Sequence, residues 1–358
     1  MKIIFIYLKA FSQTGGIEAF NKKFIKALGE ICEDDLDSVK VLSIHDSHKD
    51  YNSLNNKIDY YGFNGSYLSS FKILLKFIKR DTIVFYGHIN ITPFAIILFL
   101  LRINTKSYFI IHGIDVWHRF SGFYRLFLKK FNYLSVSNYT KKEFSEKNNI
   151  NLDRISIFPN CIDITNFTNL NPYNENFFNL LTVSRLNPNE RYKGIDSLIK
   201  TIPFLIKKIP NFKITVIGKG EDKQRLIQIA NELNILNYIE FKGYVDDIES
   251  YYEHCDVFAL PSNGEGFGIV YLEAMKYSKP VIASNSGGSR DVVIDNKTGK
   301  LCNYNDINCL ANTLIDVFQN ENKYLKIGKS GNDHLMRNFT FEKYKKNLEN
   351  ILININNE

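Results

Sequence analysis

Two carboxylates eight positions apart, Glu265 and Glu273, stand in residues 260–283, LPSNGEGFGIVYLEAMKYSKPVIA. A carboxylate only accepts hydrogen bonds, and its two oxygens suit the two hydroxyls of a vicinal diol such as a ribose or a hexose. The stretch opens on a Pro-Ser-Asn-Gly turn and passes through Gly264-Glu265-Gly266-Phe267-Gly268. It then enters a helix pattern whose apolar face is Ile269, Leu272, Ala274 and Met275. Pro280 ends that helix, and Val281-Ile282-Ala283 reads as a short buried strand. Glu265 is thus placed in a loop and Glu273 inside a helix. The backbone N–H groups of the helix start lie between them, where an anion is favoured. A lone Glu pair is more often a turn residue and a solvated helix residue, so the flanking residues decide the reading.

The flanks are the glycines around Glu265, the run Leu272-Glu273-Ala274-Met275, the strand that begins Lys279-Pro280-Val281-Ile282, and Ser286-Gly287-Gly288. Together they resemble the E-x7-E signature of the retaining glycosyltransferases of family 4, which have the GT-B fold. That resemblance implies an α/β chain of two doubly wound Rossmann-like domains facing across a cleft. It implies that Glu273 holds the ribose of a nucleotide-sugar, and that Glu265 with the N–H groups of Gly266, Phe267 and Gly268 addresses the donor sugar. Ser184-Arg185-Leu186 and Lys193-Gly194 also resemble the family. An Arg and a Lys aimed at one spot neutralise a departing nucleoside diphosphate, the part a metal ion plays in other transferases. The connection between them is longer than the family pattern and inserts Arg191, which leaves open whether Arg191 shares that work. Val245, after Gly243-Tyr244, is implied to lie near the nucleobase.

The elements that must position these residues read as two alternating strand–helix halves. Residues 2–7 are an apolar strand followed by Gly15-Gly16 and a helix pattern through Phe20, Phe24, Ile25 and Leu28, the layout of a phosphate-approach loop in a doubly wound sheet. By resemblance Gly15 and Gly16 approach the donor diphosphate. They are not a G-x-G-x-x-G with its acidic ribose partner, which argues against a dehydrogenase. His112 ends the strand Tyr108-Phe109-Ile110-Ile111, where open α/β sheets place ligands, and HGID resembles the family's strand-end histidine facing the donor sugar. Expected boundaries are an acceptor-side domain over 1–168, an Asn-rich linker over 165–177, a nucleotide-sugar domain over 177–335, and a helix over 336–358 crossing back to the first domain. No metal site is expected: Asp35 and Asp37 sit in an acidic surface run, and Asp246 with Glu249 reads as a helix-capping pair. No cofactor is expected beyond the donor itself.

The 358 residues, 44% hydrophobic and 23% charged, are those of a soluble globular chain. Met1-Lys2 leads directly into a strand, with no signal-peptide pattern. Five scattered cysteines without C-x-x-C spacing read as reduced thiols in the cytoplasm. The net charge is +7, yet residues 65–142 alone hold twelve Lys or Arg against Asp81 and Asp115. Such a surface attracts nucleic acid or anionic lipid. With no nucleic-acid motif beside it, the partner is read as the membrane surface. An amphipathic helix around residues 68–78, with Leu68, Phe71, Leu75 and Ile78 beside Lys72, Lys76, Lys79 and Arg80, fits docking on the domain or lying on a bilayer, and docking on the core is the preferred reading. The apolar run 93–101 is too short to span a bilayer and is read as a buried helix.

The reading is therefore a metal-independent retaining hexosyltransferase. Its donor is a UDP- or GDP-sugar and its acceptor a glycan or lipid-linked molecule of bacterial surface polysaccharide synthesis. It works in the cytoplasm, peripherally on the inner face of the membrane. The rivals are a nucleotide-sugar epimerase of the same fold and a non-catalytic membrane- or glycan-binding protein.

Overall fold

A computed structural model describes residues 2–12, 15–33, 38–53, 58–164 and 178–357. The expected linker 165–177 and the Asp35/Asp37 pair lie outside the described residues. The chain divides into two compact units, Met1–Cys161 with Phe341–Glu358, and Ile162–Thr340.

The first unit runs β1 Ile3–Tyr7, α1 Gly16–Ile31, β2 Val39–Ser43, β3 Asp59–Gly62, α2 Tyr67–Phe77, β4 Thr82–Tyr86, α3 Thr92–Leu100, β5 Thr105–Ile111, α4 Gly122–Leu128, β6 Asn132–Ser135, α5 Asn138–Asn148 and β7 Ile155–Ile157. The second runs β8 Phe178–Val183, α6 Ile195–Ile199, α7 Ile202–Leu205, β9 Phe212–Ile217, α8 Lys223–Glu232, β10 Ile239–Gly243, α9 Glu249–His254, β11 Val257–Leu260, α10 Ile269–Lys276, β12 Val281–Ser284, α11 Ser289–Val292, β13 Lys300–Cys302, α12 Ile307–Gln319 and α13 Glu321–Asn338. Helix α14, Phe341–Asn357, belongs to the first unit, where Lys345 donates to Glu30 of α1 at 2.8 Å and Lys26 lies 4.1 Å from the centre of the Phe341 ring. The second unit extends to Thr340, so the expected break at 335/336 falls inside α13 and the returning helix starts at Phe341.

Both sheets are parallel, in the orders β3-β2-β1-β4-β5-β6-β7 and β10-β9-β8-β11-β12-β13. Strands covered on both faces carry near-continuous apolar runs. IIFIY of β1 and VFAL of β11 are buried at every position for that reason. Each sheet changes winding direction at its first strand: β1 lies between β2 and β4, and β8 between β9 and β11. Loops leaving two such neighbours diverge to opposite faces, which opens a crevice at their carboxyl ends where ligands bind in doubly wound sheets.

The docking of α2 on the core holds: Ser70 and Leu74 are buried and Phe71, Phe77 and Ile78 pack on the core, while Leu68 and Leu75 are exposed. Three other expectations change. Helix α3 buries Phe94, Ala95, Ile96 and Leu98 but leaves Ile97, Phe99, Leu100 and Leu101 exposed, so it is buried on one side only. Asp247, not Asp246, accepts the Ser250 N–H at 3.1 Å at the start of α9, and Glu249 instead receives the buried Lys276 ammonium at 2.7 Å. Cys302 and Cys309 form a disulfide where reduced thiols are expected: the short link from β13 to α12 brings their Cα atoms to 5.8 Å, within bridging reach.

Candidate active site

The switch point of the second sheet gathers the loops after β8 and β11. Lys193 and Gly194 come from the first, Pro261 to Gly268 from the second. Gly194 has φ +74°, and a Cβ there would stand 2.4 Å from the Pro261 carbonyl oxygen, so only glycine lets the two loops touch. The Asn263 N–H donates to the Tyr192 carbonyl at 2.7 Å and completes the seam. With the backbones joined, the Lys193 ammonium donates to Oε1 of Glu265 at 2.6 Å, both side chains being largely buried. Burial works to lower the lysine's pKa, but the adjacent carboxylate outweighs it and holds the ammonium above its ordinary value.

Glu265 is fixed from behind as well. The Gly288 N–H donates to its carbonyl at 2.6 Å, and a Cβ on Gly288 would lie 2.1 Å from the Gly266 carbonyl oxygen. Ser286 donates to the Asn263 side chain at 2.7 Å. Ser286-Gly287-Gly288 is thus the floor on which Glu265-Gly266 rests. Phe267 is buried, and Gly268, at φ +97°, leads into α10, whose first turn no side chain caps. At the other end of α10 the Asn332 amide donates to the carbonyls of Met275 and Lys276 at 3.0 Å. Glu273 is half-buried on this helix, and its Oε2 accepts from the buried Tyr252 hydroxyl at 2.7 Å. Burial, with that carboxylate beside it, raises the Tyr252 pKa well above its ordinary value, so the hydroxyl stays a donor.

The cations are held differently. Arg185 is exposed and pairs with Glu190 at 2.6 Å. Arg191 reaches Asp222 at 3.2 Å, but Asp222 also accepts two hydrogen bonds from Arg225, at 2.7 and 2.6 Å. Arg191 is therefore tied to α8 and not to the Lys193–Glu265 pair. Val245 is half-buried in the loop after β10. Among the described residues, no group of three or more His, Cys, Asp or Glu is arranged to hold a metal ion.

In the first unit the switch point lies between the ends of β1 and β4. His112, at the end of β5, donates from Nε2 to the Gly87 carbonyl after β4 at 3.0 Å. Burial pushes its pKa down to about 4 despite that bond, so near neutrality the ring is uncharged with Nδ1 as acceptor. Gly15 and Gly16 start α1. Gly15 is extended, and a Cβ on Gly16 would meet nothing within 4 Å, so the backbone shape does not demand glycine and the space beside Gly16 is open.

Two residues here escape the sequence reading. Asp46, fully buried, accepts from the N–H groups of Ala10 and Ser12 at 2.7 and 3.0 Å and from the hydroxyls of Ser12 and Ser43 at 2.7 and 2.9 Å, which fixes the loop after β1. Burial works to raise its pKa; these hydrogen bonds prevail and hold it below the usual carboxylate value. His88, in Gly87-His88-Ile89-Asn90, lies 6.4 Å from His112 between ring centres and accepts from the Asn90 N–H at 3.1 Å. The strand-end position that singles out His112 would have found His88 too. Asp46 gives no such signal, because its partners are set by the tertiary fold.

Residues 164–334 match the family model of the glycosyl transferases, group 1. That span covers nearly all of the second unit, switch-point loops included. A GDP-mannose-dependent phosphatidylinositol monomannoside mannosyltransferase of Mycolicibacterium smegmatis is 28% identical over 169 residues, 45% of this chain and 44% of that protein. An uncharacterized glycosyltransferase of Haemophilus influenzae is 34% identical over 38% of this chain and 39% of its own. The chain thus spans less than half the length of these curated relatives in the matched region. The structure of Anabaena HepE in complex with UDP and glucose superposes with a TM-score of 0.77 at 20% identity, covering 98% of this chain and 99% of that one. The fold is GT-B, with two parallel α/β sheets of seven and six strands.

Proposed function

We propose that the protein is a retaining hexosyltransferase of the E-x7-E type that uses a UDP- or GDP-sugar and glycosylates a glycan or lipid-linked acceptor. The observation that carries the reading is the buried Lys193–Glu265 pair at the switch point, with Glu273 one helix further on. Glu273 accepts from the ribose hydroxyls while Tyr252 holds its other oxygen in place. Lys193 and Arg185 bind the diphosphate, and Glu265 with the N–H groups of Gly266, Phe267 and Gly268 binds the donor sugar. Val245 lies beside the base. His112, uncharged, offers Nδ1 to a sugar hydroxyl, and the open space beside Gly16 leaves room for a phosphate, while the Glu18 carboxylate stands against Gly15.

In the reaction the bond from the anomeric carbon to the diphosphate oxygen breaks, and a bond to the acceptor oxygen forms on the same face. The acceptor proton passes to the departing phosphate. The cations stabilise that leaving group as its charge develops, so no metal ion is required of this site. The protein works on the cytoplasmic side, in surface polysaccharide synthesis, with its basic first unit on an anionic membrane. Support for the donor class comes from the family match over the second unit and from neighbours solved with UDP and glucose.

Calorimetric titration with UDP and GDP, followed by nuclear magnetic resonance of the product anomer, tests this. Heat with one nucleotide, and product of the donor's own anomeric configuration in the presence of chelator, is expected. No heat with either overturns the reading. An epimerised nucleotide-sugar formed without acceptor would assign the protein to the epimerase class instead.

A further inference from the structure

Three helices on one face of the first sheet leave large apolar side chains in water. On α4, Phe123 and Leu126 are 63% and 66% exposed; at the end of α3, Phe99, Leu100 and Leu101 are 46%, 61% and 59% exposed; Leu68 stands out from α2. They are not scattered. Phe127 joins the two clusters, its ring centre 6.0 Å from that of Phe99 and 5.1 Å from that of Phe123. Phe71 of α2 packs on Phe94 of α3 at 4.8 Å, which brings the α2 residues to the same side. Contiguous apolar exposure of this kind marks an interaction surface.

The charge around it is predominantly positive, the exposed Asp81 beside Asn104 being the exception. Arg102 follows Leu101 directly, Lys129 and Lys130 follow α4, and all three are exposed. Between residues 82 and 142 the single carboxylate is Asp115, turned inward beside His88 and His112. The excess ends at α5, where Lys142–Glu146 and Lys147–Glu143 balance each other. No helix among the described residues is long and apolar enough to cross a membrane. An apolar ridge rimmed by cations matches a surface that is anionic at the headgroups and apolar just beneath.

We propose that the α3–α4 ridge inserts into the outer acyl region of an anionic bilayer, with Phe99, Leu100, Leu101, Phe123 and Leu126 as the inserting side chains and Arg102, Lys129 and Lys130 on the headgroups. The inference rests on the membrane reading above and replaces docking by charge alone with docking by insertion.

Flotation with vesicles of phosphatidylcholine, pure or with ~30% phosphatidylglycerol, tests it at low and at ~0.5 M salt, where the screening length has shrunk to about 4 Å. Wild type is expected to float with the anionic vesicles and to keep part of that binding in high salt. The variant Leu100→Ser, Leu101→Ser, Phe123→Ser, Leu126→Ser should lose the salt-resistant part and bind at least ~tenfold more weakly in low salt. Should that variant fail to fold, Phe123→Trp in the otherwise native chain is read with brominated acyl chains, where quenching beyond that of native Trp117 is expected. Binding that vanishes in high salt and ignores the serine substitutions, or an unquenched tryptophan, overturns insertion and leaves charge-only docking standing. Absence of binding to any vesicle overturns both. A concentration-dependent dimer that the serine variant dissolves would assign the ridge to a second copy of the chain and overturn the inference. Nucleoside diphosphate titration of the same samples reports on the donor reading independently.

Discussion

Lys193 in the second unit and His112 in the first are both largely buried in strand-end loops, and they answer burial in opposite ways. The lysine keeps its charge because the Glu265 carboxylate stands 2.6 Å away. The histidine gives its charge up because its ring meets a carbonyl, which offers a dipole but no charge. Removing a group from water disfavours its ionised form; a full opposite charge at contact reverses that at Lys193, several donated hydrogen bonds reverse it at Asp46, and a single carbonyl does not at His112. The second unit thereby keeps a fixed ion pair at its switch point, where the proposed diphosphate would lie. The first offers an uncharged acceptor at the end of β5.

The largest effect should come from splitting the pair. Glu265→Ala leaves a buried ammonium unpaired and should cost roughly 3–5 kcal/mol in denaturant unfolding, whereas Lys193→Met with Glu265→Gln should recover most of it. Equal losses in the single and double variants would mean that the pair is not a unit. Lys193→Ala should raise the transfer barrier by roughly 2–5 kcal/mol, and turnover within about threefold of wild type would remove Lys193 from the diphosphate site.

Next is the pH response, where the two units should diverge. His112 titrates near 4 when folded and about 6.5 when unfolded, so the unfolded chain takes up its proton first as pH falls. Its contribution, about 3 kcal/mol at most, is complete above pH ~6.5 and is lost as pH falls to ~4. Lys193, raised by its partner, contributes fully below its unfolded value of about 10.5 and loses that contribution only as pH rises beyond it. Urea unfolding between pH 4 and 7 of wild type and His112→Gln should show a steeper acid slope for wild type. Parallel slopes would assign the acid limb to other groups.

Smaller again is the effect at Glu273. Its replacement by Ala strands the buried Tyr252 hydroxyl, at about 1–3 kcal/mol of stability, and weakens nucleoside diphosphate binding. Tyr252→Phe should be the milder change. An unaltered dissociation constant in Glu273→Ala would exclude it as the ribose ligand. Smallest is Arg191→Ala, expected within about threefold of wild type in turnover because Arg191 is itself exposed and the buried Asp222 keeps its two hydrogen bonds from Arg225. A tenfold or greater loss would place Arg191 in the clamp.

What the residues determined unaided is local: alternating strands and helices, a Gly264–Gly268 loop before a helix holding Glu273, strand ends at Ser184 and His112. These follow from periodicity and turn chemistry within a few residues, which is why the two α/β halves were legible. Which charges meet was not. Lys193 and Glu265 are 72 positions apart, and they touch because Gly194 admits Pro261 and the sheet winds both ways from β8. The same folding sent Arg191 to Asp222, bridged Cys302 to Cys309, and bound the loop after β1 to Asp46. Exposure was equally out of reach: TPFAIILFL is apolar all round, so its sequence marks no inward face, and only packing against the sheet decided that Phe99 and Leu100 look outward. Short-range pattern fixes what each segment is, while partner and solvent are fixed by contacts that exist only after the sheets have formed.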